Sequence, residues 1–170
     1  MSLAKLLADF PQGIGVAPAT LGKFKSYSGQ LAELITTARE TVKLVVPFID
    51  TFGTKFIAEH LAFNHNHPET ELISRDITRQ QFEALKRYDV KVFTINAESL
   101  GWGFHSKYAL IDHKTALVGS ENLTERSIMR NVEIGILLEG KIVRDLLFVH
   151  RLLLSKSKQA TQNSELPHTA

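Results

Sequence analysis

The apolar positions of the chain fall into short continuous runs and into stripes with helical spacing. Residues 42–48 form a nearly continuous apolar run, which is typical of a buried strand. Residues 55–63 place apolar side chains on one helical face. Thr78 with Gln81 forms a capping-box pattern, which predicts a helix that runs to about residue 87.

Strand-like and helix-like segments alternate along the rest of the chain. The further predicted helices cover residues 30–40 and 141–154, and the further predicted strands cover residues 71–74, 89–95, 104–111, 115–118 and 131–138. This order predicts an α/β fold with a mixed β-sheet flanked by helices on both faces.

The length of 170 residues and the 44% share of hydrophobic residues fit one domain with a single core. We expect that domain to span residues 1–154. Within it, residues 1–28 could be a partner-binding arm or an added helix. From residue 155 to residue 170 the chain is polar and aperiodic, which predicts a flexible tail.

Candidate chemistry is concentrated in the predicted hairpin of residues 104–118. Residues two apart on a strand point to the same face, so His105 and Lys107 are expected to share one pocket. Ser120 and Asn122 again share parity, and Gly119 would let the backbone approach a bound anion. An ammonium, a hydroxyl and an amide would then converge where a phosphate could bind.

Asp112 differs from these residues because it lies five positions after Lys107. On an unbroken strand its carboxylate would face away from His105. We therefore predict a structural role for Asp112, in which backbone hydrogen bonds fix the turn over residues 112–114.

Residues 105–122 contain the pattern H-x-K-x-x-x-x-D, followed after six residues by G-S-x-N. This pattern resembles the signature of the phospholipase D superfamily. The resemblance implies a phospholipase D-like fold and metal-independent phosphodiester hydrolysis without a cofactor. His105 would be the nucleophile that forms a phosphohistidine, Lys107, Ser120 and Asn122 would bind the phosphate, and Glu133 would orient the histidine.

The motif occurs once in the chain, whereas this chemistry uses two such histidines. The only other candidate with similar spacing, His65 and His67, has histidine where lysine should be, and no G-S-x-N follows it. The second His105 is therefore expected from another subunit across a two-fold axis, which predicts a homodimer that forms through the motif region and shares one active site. Small single-motif nucleases of the superfamily are built in this way.

Residues 119–124 and 131–135 look most like superfamily domains found with bacterial helicases, restriction enzymes and phage-defence systems. In particular they are similar to the phospholipase-D-like component of the DISARM defence system. The resemblance implies a helicase or another defence protein as a possible partner.

Several features favour a nucleic-acid substrate. The formal net charge is +2, with 20 basic and 18 acidic residues, which suits a polyanion without forming a strong patch. Trp102 and Phe104 could stack on bases, although one or both could be core residues. Arg126 and Arg130 could contact flanking phosphates, although they could also be ordinary solvated helix charges.

Other classes of protein are disfavoured. The chain has no cysteine, which excludes disulfides and thiolate metal sites, and we predict no metal site. It has no run of about 18 apolar residues that could span a membrane, and its first eleven residues lack a signal-peptide core, so we expect a cytoplasmic protein.

The sequence thus predicts a phosphodiesterase that hydrolyses DNA or RNA. Two alternatives stay open. A phospholipid hydrolase would carry an exposed apolar rim around its pocket, whereas a nuclease would carry a basic groove. A non-catalytic accessory protein would keep the phosphate pocket only to bind DNA.

Overall fold

A computed structural model describes residues 3–11, 24–96, 103–161 and 164. The described strands are β1 (Ala4–Asp9), β2 (Thr41–Val45), β3 (Glu69–Ser74), β4 (Lys91–Thr94), β5 (Tyr108–Ile111), β6 (Thr115–Gly119), β7 (Glu133–Glu139) and β8 (Lys158–Gln159). The described helices are α1 (Tyr27–Thr37), α2 (Thr51–Ala62), α3 (Arg79–Lys86), α4 (Glu125–Arg130) and α5 (Lys141–Ser155).

These strands form one eight-stranded mixed sheet in the order β1-β7-β6-β5-β2-β3-β4-β8. Strands β2, β3 and β4 are parallel to one another, and every other neighbouring pair is antiparallel. As a result, the carboxyl ends of β1, β2, β3, β4 and β6 and the amino ends of β5 and β7 all lie at one end of the sheet. We call this end the motif end.

Two hydrophobic clusters cover the two faces of the sheet. The larger cluster packs α1, α2 and α3 on one face, with Ile35, Ile57 and Leu85 fully buried. The smaller cluster packs α5 on the other face through Val143 and Leu153. The predicted mixed sheet with helices on both faces is confirmed.

The strand that carries the motif is shorter than predicted. It begins at Tyr108, and residues 103–107 lie outside the assigned strands. Tyr108 pairs with Val45, where β2 ends, and Pro47 follows shortly after without a backbone N–H. On the β6 side a single bond from Gly119 N to Lys107 O at 3.3 Å continues the pairing, so it reaches Lys107 and His105 lies beyond it.

Both ends of the chain contain sheet strands that were not predicted. Residues 4–9 form edge strand β1 beside β7, so this part of the N-terminal segment is a strand of the sheet and not an added helix. The predicted tail also starts too early, because α5 continues to Ser155 and β8 pairs with β4. Burial of Ala160 in the core ties down this second segment.

Candidate active site

The motif hairpin turns through Asp112 and His113, whose φ angles are 52° and 55°. Two consecutive positive φ values and the bond from Lys114 N to Ile111 O at 3.0 Å are typical of a type I′ turn. This turn lies at the end of the sheet opposite the motif end.

The Asp112 carboxylate does not enter the phosphate pocket. It accepts hydrogen bonds from the backbone amides of Arg39, Glu40 and Thr41 at 2.7–3.1 Å, just before and at the start of β2. Burial raises the pKa of Asp112, but these amides outweigh it, so the pKa lies below its usual value. Asp112 thus holds the turn against β2, which is a structural task.

Lys107 is the buried cation at the motif end. Lys107 is only 8% exposed, and its Nζ donates to the backbone carbonyl of His105 at 3.1 Å. Burial lowers the pKa of Lys107, while the charge of Glu133 acts in the opposite direction. Among the described residues no carboxylate lies within 4 Å of this ammonium. Its charge therefore stays available to an anion.

The His105 side chain is exposed at the same end of the sheet. Its ring meets Phe48 edge to face, with centroids 6.5 Å apart and an interplanar angle of 69°. No hydrogen bond joins His105 to Glu133 within the chain. Within one chain other donors occupy the Glu133 carboxylate, and the predicted orienting role of Glu133 stays a prediction.

Those donors belong to the motif loop and the chain that follows it. Ser120 Oγ and Ser127 Oγ both donate to the Glu133 carboxylate, and Asn131 Nδ2 donates to it at 3.1 Å. Ser120 Oγ also accepts from Ile134 N at 3.1 Å. Glu133 is only 4% exposed, so this carboxylate fixes the motif loop on β7.

Gly119 was predicted to let the backbone approach an anion. The structure shows another reason for a glycine at this position, which is the close contact with Tyr27. A Cβ atom on Gly119 would lie 2.4 Å from Tyr27 Cε2, and one on Gly135 would lie 2.0 Å from Tyr27 Cδ2. The ring of Tyr27 therefore lies directly on the paired residues Gly119 and Gly135 of β6 and β7. Both glycines let α1 approach the sheet below the motif loop.

Asn122 and Glu121 carry buried polar atoms at the motif loop. Burial raises the pKa of Glu121 to about 9, and the charge of Asp9 and its hydrogen bond with Glu121 add to this effect, so that the Glu121 carboxyl group is neutral at pH 7. Asn122 Oδ1 is buried without a hydrogen-bond partner, and such atoms are rare in proteins. An Asn122 oxygen of this kind fits a site that a bound donor would complete.

The start of α2 fixes the other side of the motif loop. Asp50 caps α2 by accepting from Gly53 N at 2.9 Å, and its second oxygen accepts from Glu125 N at 2.8 Å. A Cβ atom on Gly53 would lie 1.8 Å from Leu123 O, so only glycine allows this close packing. Asp50 and Gly53 therefore set the position of the loop that carries Ser120.

The four predicted nucleic-acid contacts have different outcomes. Phe104 is only 2% exposed and belongs to the core beside α5, so it cannot stack on bases. Trp102 lies outside the described residues. Arg126 and Arg130 are exposed on α4, and Arg130 forms an ion pair with Glu125 at 2.8 Å.

Sequence reasoning missed most of the residues that support the site. Asp9, Tyr27, Phe48, Asp50 and Arg75 reach the motif end from other parts of the chain. The sequence signal for Asp50 is its residue type directly before α2, since Asp is preferred at the helix N-cap. No local pattern marks the remaining four.

A second polar network lies under α5, away from the exposed His105. His150 Nε2 lies 3.0 Å from Glu71, and Lys43 Nζ donates to Glu71 at 2.8 Å. The His150 hydrogen bond lowers the pKa of Glu71 to about 2, Lys43 adds to this effect, and burial opposes it. Tyr108 OH is 3.4 Å from His150 Nδ1, so the network joins α5 to the sheet.

Within the described ranges, the His, Asp and Glu side chains nowhere form a group of three that could hold a metal ion. Among the described helices, none combines the length and the apolar character that a membrane span needs.

The fold and the motif end together define a class of α/β protein that presents an imidazole, a buried ammonium and a glycine-serine loop at one end of a mixed sheet. A family sequence model described as "Cardiolipin synthase, PLD-like domain" matches residues 31–148, which is more than half of the chain. The chain therefore belongs to the phospholipase D-like family.

Solved structures of the same fold support this assignment. Nuc from Salmonella typhimurium, a phospholipase D family member, superposes with a TM-score of 0.67 at 13% identity, covering 95% of this chain and 100% of Nuc. NucT from Helicobacter pylori superposes with a TM-score of 0.69 at 17% identity, covering 94% of this chain and 100% of NucT. Phosphatidylserine synthase from Haemophilus influenzae gives 0.68 at 12% identity, covering 97% of this chain but 41% of the synthase. A search of curated protein sequences finds no significant match.

Proposed function

We propose that this protein is a metal-independent phosphodiesterase, and specifically a nuclease that hydrolyses phosphodiester bonds in DNA or RNA. The observation that carries the proposal is the pairing of an exposed His105 imidazole with the buried Lys107 ammonium, which no described carboxylate neutralises. The first group is accessible to a substrate, and the second supplies the positive charge that a phosphate needs.

In the proposed reaction, a ring nitrogen of His105 attacks phosphorus and forms a P–N bond while the P–O bond to the leaving alcohol breaks. A second histidine donates a proton to the leaving oxygen. The same histidine then removes a proton from water, whose oxygen attacks phosphorus and releases His105. Lys107 stabilises the extra negative charge of each transition state.

The second histidine is His105 of another copy of the chain. One motif per chain supports this assignment, and so does the apolar surface beside the motif loop, on which Leu6, Ile134 and Ile136 are exposed. These side chains lie on the sheet face that carries α5, where β1 and β7 extend past the helix. A two-fold dimer through this surface would bring two motif ends together.

Ser120, Asn122 and Glu133 take supporting roles in this proposal. Asn122 offers its unpartnered buried side-chain oxygen toward the site, and Ser120 supplies the motif hydroxyl for the phosphate. Glu133 acts by holding Ser120 in place, since its carboxylate already accepts the Ser120 hydroxyl. It thereby acts through the loop and not by direct contact with His105 of the same chain.

Three features favour nucleic acid as the substrate. The chain covers the full length of Nuc and NucT, so it matches compact members of the fold. Exposed Arg126 lies on α4 directly after the motif loop, and Arg75 lies beside Phe48 near His105. We also propose a defence or DNA-processing setting with a helicase as a candidate partner, which rests on the resemblance of residues 119–124 and 131–135 to defence-associated domains.

A phospholipid hydrolase is the second candidate, and one observation favours it. Phe48, Phe52, Met129 and Val132 are exposed near the motif end, which resembles the apolar rim expected of an enzyme that works on a lipid surface. The fold is also shared with a phosphatidylserine synthase, although this chain covers less than half of that protein.

One experiment separates these functions. Purified protein is incubated in excess chelator with single-stranded DNA, duplex DNA, RNA and phospholipid vesicles, beside a His105→Ala variant. We expect wild-type cleavage of nucleic acid, unchanged by chelator, and a loss of at least about 1000-fold in the variant with an unchanged melting temperature. Cleavage of the vesicle lipid alone would support the second candidate. A rate that requires added magnesium or zinc would contradict the proposed chemistry.

A further inference from the structure

Phe48 and Arg75 form a cation–aromatic pair beside His105. Phe48 follows β2 and Arg75 follows β3, so the two parallel strands deliver both residues to the motif end. The guanidinium carbon of Arg75 lies 5.4 Å from the centroid of the Phe48 ring. The bond from Arg75 N to Pro47 O at 3.2 Å ties the two loops together. The Phe48 ring is thus next to both a cation and the proposed nucleophile.

The exposure of Phe48 is notable because neighbours already hold this ring in place. It remains 42% exposed although both Arg75 and His105 contact it. An exposed aromatic ring rimmed by cations is typical of a binding surface. Among the described residues Arg75 makes no ion pair with a carboxylate, so its charge is not neutralised by the protein.

We propose that Phe48 and Arg75 determine specificity by binding the nucleotide next to the scissile phosphate. The base stacks on the exposed part of the Phe48 ring, and the Arg75 guanidinium binds the adjoining phosphate. This inference rests on the proposed nuclease function and extends it. It assigns the pair to substrate binding, since both residues lie outside the motif and the Phe48 ring is exposed beside His105 and Arg75.

Stacking on Phe48 has a consequence for the form of the nucleic acid. A base can cover the Phe48 ring only when it is not stacked between its neighbours in a duplex, so the pair favours single strands and frayed ends. A planar ring held by a guanidinium suits a planar base. An acyl chain, by contrast, packs equally well on a branched aliphatic side chain.

The first test measures binding without catalysis, in the full-length His105→Ala protein. Phe48→Leu in this background should weaken the binding of a fluorescent single-stranded oligonucleotide by about 5- to 100-fold and that of the matching duplex far less. Phe48→Trp should restore binding to within about threefold of the parent. Phe63→Leu is the matched control, because Phe63 is 70% exposed at the opposite end of the sheet.

The charge of Arg75 is tested through salt dependence. Arg75→Gln should weaken single-strand binding and lower the slope of log affinity against log salt by about 0.7, as expected when one phosphate contact is lost. Arg87→Gln, an exposed arginine at the opposite end of the sheet, is the control. An unchanged slope in Arg75→Gln would remove Arg75 from the proposed contact.

A second measurement separates substrate binding from simple support of His105. With His105 intact, Phe48→Leu should lower kcat/KM for single-stranded DNA at least tenfold more than for bis-p-nitrophenyl phosphate, with the larger change in KM. Equal losses on both substrates would mean that Phe48 only positions the imidazole, and would overturn the inference. Unchanged binding in Phe48→Leu would overturn it as well. If the wild type binds single strands through Phe48 yet hydrolyses nothing, the proposed catalysis fails and this inference stands.

Discussion

Glu121 is the least expected residue of the motif loop. It occupies the variable position of G-S-x-N, yet it is only 3% exposed and lies beside the Asp9 carboxylate. A carboxyl group that is buried beside another carboxylate stays protonated, because both the protein interior and the second negative charge disfavour its ionised form. As pH rises, the unfolded chain therefore loses the Glu121 proton at a lower pH than the folded chain does.

This proton predicts a specific dependence of stability on pH. The pKa of Glu121 rises from 4.5 to about 9 on folding, so between these values the folded state binds more protons than the unfolded state. The free energy of unfolding should therefore fall as pH rises from about 5 to 8. Glu121→Gln removes this effect and should stabilise the protein by roughly 2 to 4 kcal/mol at pH 8, but much less at pH 5.

Denaturant unfolding of both proteins at pH 5 and pH 8 measures this difference. Glu125→Gln is a suitable control, because Glu125 is exposed on α4. A gain for Glu121→Gln that is the same at both pH values would show that Glu121 is ionised in the folded protein.

At the residue scale, the sequence identified the motif but not its surroundings. The hydrogen bond between Gly119 N and Lys107 O joins the two halves of the motif, while the convergence of Lys107, Ser120 and Asn122 on one phosphate stays a prediction. Phe48 and Arg75 could not be found in this way. Their approach to His105 depends on the pairing of β2 with β3, which is a long-range property of the sheet.

At the element scale, the contact of α1 with β6 and β7 determines how closely the motif loop can lie to the core. Tyr27 at the start of α1 is 3% exposed, and its ring rests on Gly119 and Gly135. Asp9 at the end of β1 accepts from Tyr27 N at 3.1 Å and from Ser28 N at 2.7 Å, which fixes the helix start. Three separate elements therefore meet below Ser120.

Gly135→Ala should destabilise the protein, because the new Cβ atom would overlap the Tyr27 ring. We expect a loss of about 1 to 3 kcal/mol in the free energy of unfolding, as for other overpacked cores. In a protein that already carries Tyr27→Leu, Gly135→Ala should lower the free energy of unfolding markedly less. Denaturant unfolding of the two single variants and the double variant measures this coupling, and strictly additive losses would contradict the contact.

The sequence predicted most elements but misplaced several boundaries. The capping box of Thr78 and Gln81 was confirmed because it is a local hydrogen-bond pattern within one helix end. The predicted start of the motif strand before Tyr108 was wrong, because the length of a strand depends on its partner strands. β2 ends at Val45, which pairs with Tyr108, so it offers no partner to earlier residues. β1 and β8 were missed because short edge strands carry little hydrophobic periodicity of their own.

At the scale of the whole molecule, the uncovered apolar face of β1 and β7 is the feature that the single chain leaves unexplained. Ile134 is 54% exposed, Ile136 is 42% exposed, and Leu6 pairs with Ile136 on the same face. Burying such a face against a second copy would stabilise a dimer by removing apolar surface from water. The face begins directly at the motif loop, where Ser120 contacts Ile134.

The double variant Ile134→Glu with Ile136→Glu should therefore be monomeric. Its hydrolysis of a small phosphodiester should fall at least tenfold. Its melting temperature should stay close to that of wild-type protein diluted until it is monomeric. Light scattering after size exclusion reports the mass, with Phe63→Glu as the control at the opposite end of the sheet. A monomeric variant that retains full activity would contradict a site shared between subunits.

If two copies of His105 act on one phosphate, mixing of subunits will show it in the rate. Wild-type and His105→Ala chains are unfolded together in equal amounts and refolded, and the rate on bis-p-nitrophenyl phosphate is compared with that of the same total amount of wild type. Random pairing gives about one quarter wild-type dimers. We expect a rate of about one quarter, because mixed dimers lack one imidazole. A rate of about one half would show independent sites and would contradict the shared-site mechanism.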